Sequence, residues 1–152
     1  MKALVFAEPR SASVEELDVP SVAADEVLVR SRNVGICHSD FELYEGRYII
    51  PVSYPIVPGH EWSGEVAEVG SAVANLRPGD RVVGECVVNN GDDHFGFSIG
   101  GADAEYFVAR RHGSTAFPRS SRSRTVRSSS RFRWRTTPRS PPVASTRATR
   151  LR

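Results

Sequence analysis

The chain has 152 residues, 25% of them charged, and a formal net charge of +2. That length suits one domain with a core of its own. No run of about 18 apolar residues offers a membrane span, and two cysteines, Cys37 and Cys86, are too few for a disulfide framework. The small net charge hides an asymmetry. Residues 1–112 carry 9 basic and 18 acidic side chains, 9 − 18 = −9, whereas residues 113–152 carry 11 arginines and no acid, hence +11. Two unrelated compositions are joined near residue 112.

The N-terminal residues 2–7 alternate like a strand and lack the apolar length of a signal peptide, so a cytoplasmic protein is expected. Further short β-branched runs at 26–34, 64–69, 81–88 and 104–109 read as strands. Phe41 and Tyr44, three apart within residues 40–45, suit a single helical turn. Pro58 with Gly59, Pro78-Gly79-Asp80 and Asn90-Gly91-Asp92 punctuate the strands as turns. Gly64, Gly70, Gly79 and Gly84 are expected to supply bends and positive-φ positions. The pattern predicts a mainly β fold, a partly open barrel with short helical turns. After residue 112 the periodicity stops. Residues 113–152 are Arg, Ser, Thr and Pro with scattered apolar residues, a composition that buries too little apolar surface to offset its ordering entropy. Disorder is expected there.

Two motifs carry chemistry. Gly35-Ile36-Cys37-His38-Ser39-Asp40 supplies a thiol, an imidazole, a hydroxyl and a carboxylate in four consecutive positions, and Pro58-Gly59-His60-Glu61 sets His60 beside Glu61. Cys37, His60 and Glu61 form the kind of set a catalytic zinc takes: three protein ligands and one position left for water or substrate. Read singly, a lone cysteine is most often buried and inert, and a lone histidine is most often a hydrogen-bonded core or surface residue.

The two motifs, with the match running on through Gly64, Gly70 and Val73, resemble the zinc-dependent alcohol and polyol dehydrogenases of the medium-chain dehydrogenase/reductase family. The resemblance covers residues 1–112 and implies a GroES-like N-terminal catalytic domain with one zinc held by Cys37 and His60. Glu61 is a direct ligand in polyol-type relatives and a near neighbour of the metal in others; both readings stay open. Ser39 matches the hydroxyl that bonds the substrate alcohol and starts a proton relay, although Ser is also a good helix N-cap. Asp40 matches the carboxylate that orients a ligating histidine, and is also a charge suited to a helix N-terminus. His38 matches a position that approaches the cofactor pyrophosphate in some relatives; solvent exposure is the plain alternative. The resemblance further implies a small alcohol or polyol as substrate, NAD or NADP as cofactor of the intact family member, and an oligomer of that intact protein.

Other family parts are missing. Gly84-Glu85-Cys86 stands where relatives begin a four-cysteine lobe, but only His94 follows as a metal ligand, so no structural zinc is expected. No Gly-x-Gly-x-x-Gly occurs in the chain, so it offers no dinucleotide cradle, and a Rossmann domain is expected to be absent. Under one choice of codons, reading one nucleotide earlier turns residues 127–135 into Ala-Leu-Val-Glu-Pro-Phe-Pro-Val-Ala. In the same offset residues 114–118 become Leu-His-Arg-Leu-Pro. Both strings resemble the family's passage into its nucleotide-binding domain, so a frameshift is expected to have truncated the protein. The chain alone is then expected to be inactive. The alternatives are a non-enzymatic zinc-binding remnant, a module using its arginine tail on phosphates and a zinc-free reductase of the same superfamily. No sequence-specific nucleic-acid recognition is expected of the tail, and the Cys37–His60 pair argues against the zinc-free reductase.

Overall fold

The computed structural model describes residues 1–88 and 91–110, together with the backbone of Ser114–Ala116. Strands β1 (Lys2–Glu8) and β2 (Ser11–Glu16) form an antiparallel hairpin. Strand β3 (Glu26–Gly35) leads into helix α1 (His38–Tyr44). Then follow β4 (Glu61–Val69), β5 (Arg81–Gly84), β6 (Val87–Val88), β7 (Asp93–His94), β8 (Tyr106–Arg110) and β9 (Ser114–Ala116). Strands β8, β3, β4, β5 and β9 make one sheet in that order, and every pairing is antiparallel. The described residues are mostly strand with one short helix, the mainly β, unclosed architecture expected from the sequence. None of their helices is long and apolar enough to cross a membrane.

The main core follows from strand alternation. Trp62, Gly64 and Val66 of β4 point inward, as do Phe107 and Ala109 of β8. They meet Val27 and Val29 of β3, Val82 of β5 and Phe95. Each large apolar side chain fully removed from water contributes about 1.5–3 kcal/mol. Gly64 is required by packing: a Cβ there would lie 2.8 Å from the Arg30 carbonyl oxygen and overlap Val29. Its φ is not positive; among the expected glycines Gly79 has the left-handed backbone, φ 89°.

A second, smaller core sits under α1. Phe6, Leu43, Ile56 and Phe97 are buried together, with Tyr48, Tyr54 and Cys86 packed against them. The β1–β2 turn is tied to the end of this helix. Arg10, at φ 64°, donates its amide to the Tyr44 carbonyl at 2.7 Å and its guanidinium to Glu45 Oε2 at 2.7 Å. Tyr44 Oη returns a bond to the Arg10 carbonyl at 2.9 Å.

Several expected elements are corrected. The helix begins at His38 rather than 40, the run 81–88 breaks after Gly84 into two strands, and β2 was not foreseen. The segment expected to be disordered from 113 contains β9, whose Thr115 pairs with Val83 and Ala116 with Val82. The rest of 113–152, and Asn90 of the third turn, lie outside the described residues.

Candidate metal centre

Strand pairing explains how residues 23 apart in sequence meet. In the β3–β4 ladder Gly35 stands opposite Glu61. Cys37 lies two residues beyond the end of β3 and His60 one residue before the start of β4, so both project from the same end of the sheet. Gly35 has no side chain to crowd its partner; a Cβ there would lie 2.8 Å from Glu61 Oε2.

The approach to His60 is fixed by backbone. Pro58 is fully buried, and Gly59 takes φ 96°. The chain at 101–103 lies against it: the amides of Gly101, Asp103 and Ala102 donate to the carbonyls of Val57, Pro58 and Gly59 at 2.7, 3.0 and 2.8 Å. A Cβ on Gly59 would come within 2.8 Å of the Asp103 amide nitrogen. Glycine at this position is therefore demanded by both conformation and space.

Cys37 is the N-cap of α1, in extended conformation, and its amide donates to Asp40 Oδ2 at 2.8 Å. The thiol thus lies over the first turn of the helix, beside Ser39. Cys37 Sγ lies 3.4 Å from His60 Nε2 and 2.7 Å from Ser39 Oγ, and Ser39 Oγ lies 3.3 Å from the same nitrogen. On the other side of the ring, His60 Nδ1 faces Asp40 Oδ1 at 3.2 Å. Asp40 is buried, at 7% exposure, and carries the charge that makes this contact polar. Burial pulls the imidazole pKa down, but the Asp40 hydrogen bond and charge, with Cys37, outweigh it and raise the value above 6.5.

The donor atoms of Cys37, His60 and Glu61 all lie within 4.8 Å of one another. A tetrahedral zinc with bonds of 2.0–2.3 Å sets its ligand atoms about 3.5 Å apart. The Cys37–His60 separation already matches that spacing, and the exposed Glu61 carboxylate can close the remainder by side-chain rotation. A thiolate, an imidazole and a carboxylate are the donor types zinc accepts, so the residues present fit the ion. The Nδ1–Asp40 contact selects the tautomer whose Nε2 lone pair is free to ligate.

The structure thus gathers Cys37, Ser39, Asp40, His60 and Glu61. It does not bring His38 to them. That ring is 81% exposed, 3.3 Å from Glu42 and stacked on Phe41. Cys86, the start of the expected lobe, sits beside the small core with its sulfur 3.7 Å from the Phe95 carbonyl. Burial is the chief cause that lifts its thiol to about 11. Sequence reasoning missed three residues here. Phe97 lays its ring 4.8 Å from that of His60, Tyr48 stacks on Phe97 at 4.5 Å, and Asp103 has its pKa raised by burial and by Asp40. Nothing in their spacing announces them; they arrive through a loop more than thirty residues downstream and the turn after α1.

A strand-rich domain with a Cys, His and Glu cluster at the end of one ladder defines the class of a GroES-like domain with a candidate metal site. Residues 23–119 match the model of the alcohol dehydrogenase GroES-like domain, and the chain belongs to that family. The match runs past residue 112, where the compositions change. An alcohol dehydrogenase of Moraxella sp. (strain TAE123) is 33% identical over 126 residues, covering 72% of this chain and 37% of the relative. Sorbitol dehydrogenase of Bacillus subtilis (strain 168) is 44% identical over 89 residues, covering 56% and 25%. The crystal structure of 2R,3R-butanediol dehydrogenase from Bacillus subtilis superposes with a TM-score of 0.71 at 30% identity, covering 78% of this chain and 40% of that one. The chain thus spans between a quarter and two-fifths of the length of these relatives.

Proposed function

We propose that this chain is the zinc-binding, N-terminal catalytic domain of an NAD(P)-linked oxidoreductase acting on a small alcohol or polyol. The observation that carries the reading is the convergence of Cys37, His60 and Glu61 donor atoms within 4.8 Å. A zinc bound there supplies Lewis-acid polarisation of a substrate hydroxyl. Cys37 and His60 would hold the ion, Glu61 is near enough to complete the set, and Asp40 would keep the His60 ring in the ligating tautomer. Ser39, whose hydroxyl lies beside both candidate ligands, would accept the hydrogen bond of the substrate hydroxyl and relay its proton, passing its own hydroxyl proton on to solvent. A nicotinamide, which these 152 residues have no glycine-rich fingerprint to cradle, would be the hydride acceptor in such a reaction. The alcohol, sorbitol and butanediol dehydrogenases among the relatives support the substrate class.

The test is metal content. Purified protein should hold one zinc per chain after dialysis, and Cys37→Ser and His60→Ala should hold none. A wild-type protein that returns from dialysis without zinc, and takes up none when titrated, sinks the reading. A second reading is a metal-binding domain without turnover of its own, since no Gly-x-Gly-x-x-Gly occurs in these 152 residues to hold a dinucleotide. With zinc, NAD or NADP and a panel of polyols the 152-residue chain should show no rate above background; a robust rate would overturn that.

A further inference from the structure

We propose that Phe97 is a positioning residue for the metal centre: its ring is the platform that fixes the plane of His60, so that Nε2 is aimed at the ion. The inference rests on the zinc reading above. The hydrogen bond that Nδ1 donates to Asp40 Oδ1 fixes the distance of Nδ1 but not the plane of the imidazole, because the second side-chain torsion of histidine is broad and weakly restricted. A ligand nitrogen must nonetheless be placed to within about 0.5 Å of its working position. A contact on the ring face supplies the missing constraint. Phe97 packs against the imidazole in a tilted arrangement, with centroids 4.8 Å apart and planes at 42°.

Phe97 is itself held rigidly. It is 1% exposed, packed in the small core, and stacked on its other partner Tyr48 at 4.5 Å and 14°. Its turn is closed by the amides of Phe97 and Ser98, which donate to the His94 carbonyl at 3.0 and 2.9 Å. Ser98 Oγ accepts the His94 amide at 2.8 Å. The turn is also registered directly on the peptide that precedes His60. A Cβ on Gly96, at φ 79°, would sit 3.0–3.1 Å from the N, C and O atoms of Gly59. The 94–99 turn therefore carries one ring to the face of His60 while its backbone lies against the chain that delivers His60.

The test must separate aiming from simple core filling. Phe97→Leu keeps apolar volume and removes the ring face. Phe6→Leu is the control, since Phe6 belongs to the same buried cluster but meets Tyr44 edge-on rather than packing on His60. Both variants are expected to melt lower than wild type. In zinc competition against a chromophoric chelator, Phe97→Leu should bind about tenfold more weakly, the low end of what ligand-orienting residues contribute, and Phe6→Leu should match wild type. With cobalt as the probe, the visible d–d bands should shift in Phe97→Leu only. Equal affinities and spectra for wild type and Phe97→Leu, or equal losses in the two variants, overturn the proposal. Phe97→Met serves in the same comparison if the leucine variant does not fold. A wild-type chain that binds neither metal refutes the zinc reading itself, and that result is distinct from a selective failure of Phe97.

Discussion

Asp40 Oδ1 lies 3.2 Å from His60 Nδ1, while the other oxygen of the same carboxylate accepts the Cys37 amide at 2.8 Å. One buried side chain therefore sets the ring of one candidate ligand and the backbone of another. Asp40→Asn keeps the size and one acceptor but removes the charge. Zinc affinity should fall about 10- to 100-fold, with the domain still folded by circular dichroism. Unchanged affinity in the Asn variant would show that Asp40 serves only to start the helix.

Gly101 and Gly79 make a contrasting pair. A Cβ on Gly101 would run into the Pro58 and Gly59 carbonyls, the latter at 2.6 Å, where backbone cannot yield. Gly101→Ala should cost about 2–3 kcal/mol, as overpacking does, and should weaken zinc binding as well, because the same contact seats His60. Gly79 has open space around it but φ 89°. Gly79→Ala should cost only the left-handed conformation, about 1–2 kcal/mol, with metal affinity untouched. Thermal unfolding and a zinc titration on both variants check this.

Much of this arrangement was legible beforehand, and what was missed has physical reasons. The cluster of Cys37, His60 and Glu61 could be read because these residues lie in short motifs whose chemistry is local. Strand β4 could be read because one face is buried and imposes alternation, and β1 and β3 because they carry short apolar, β-branched runs such as Val27, Leu28 and Val29. Strand β2 could not, since Ser11–Glu16 is nearly all exposed and carries no core-facing alternation. Strand β9 was hidden in an arginine-rich composition, its pairing with β5 being a backbone relationship that side-chain content does not encode. The Phe97–His60 contact was invisible for a third reason: it joins two loops whose proximity is set by the glycines at 59, 96 and 101.

Cys86 gives a pH prediction. Its thiol is raised from 9.0 to about 11, chiefly by burial and further by the nearby Asp40 and Cys37. The folded state then keeps the proton where the unfolded chain releases it. Stability from this group is intact below pH 9, falls as pH climbs from 9 towards 11, and levels off beyond. Cys86→Ala should flatten that part of the stability profile. At pH 8 the thiolate fraction is about a hundredfold lower than in the unfolded chain, so iodoacetamide should label Cys86 slowly until denaturant is added. Rapid labelling of the native protein at Cys86 would refute the raised thiol pKa of this half-buried residue.

Ligand binding to the folded state alone raises stability by mass action, by about 2.7 kcal/mol at a free concentration one hundred times the dissociation constant. The candidate ligands leave from the ends of two paired strands, so bound zinc should act as a clasp on the β3–β4 ladder and raise the melting temperature. EDTA should reverse the rise, and Cys37→Ser should abolish it. Glu61 is the discriminating position. It is exposed, so Glu61→Gln carries little folding penalty of its own. If the carboxylate ligates directly, the zinc-induced shift should shrink in Glu61→Gln by an amount equivalent to at least tenfold in affinity, about 1.4 kcal/mol. If Glu61 only stands near the ion, the shift should equal that of wild type, and the metal would then rest on Cys37 and His60 with its remaining positions open to water or substrate.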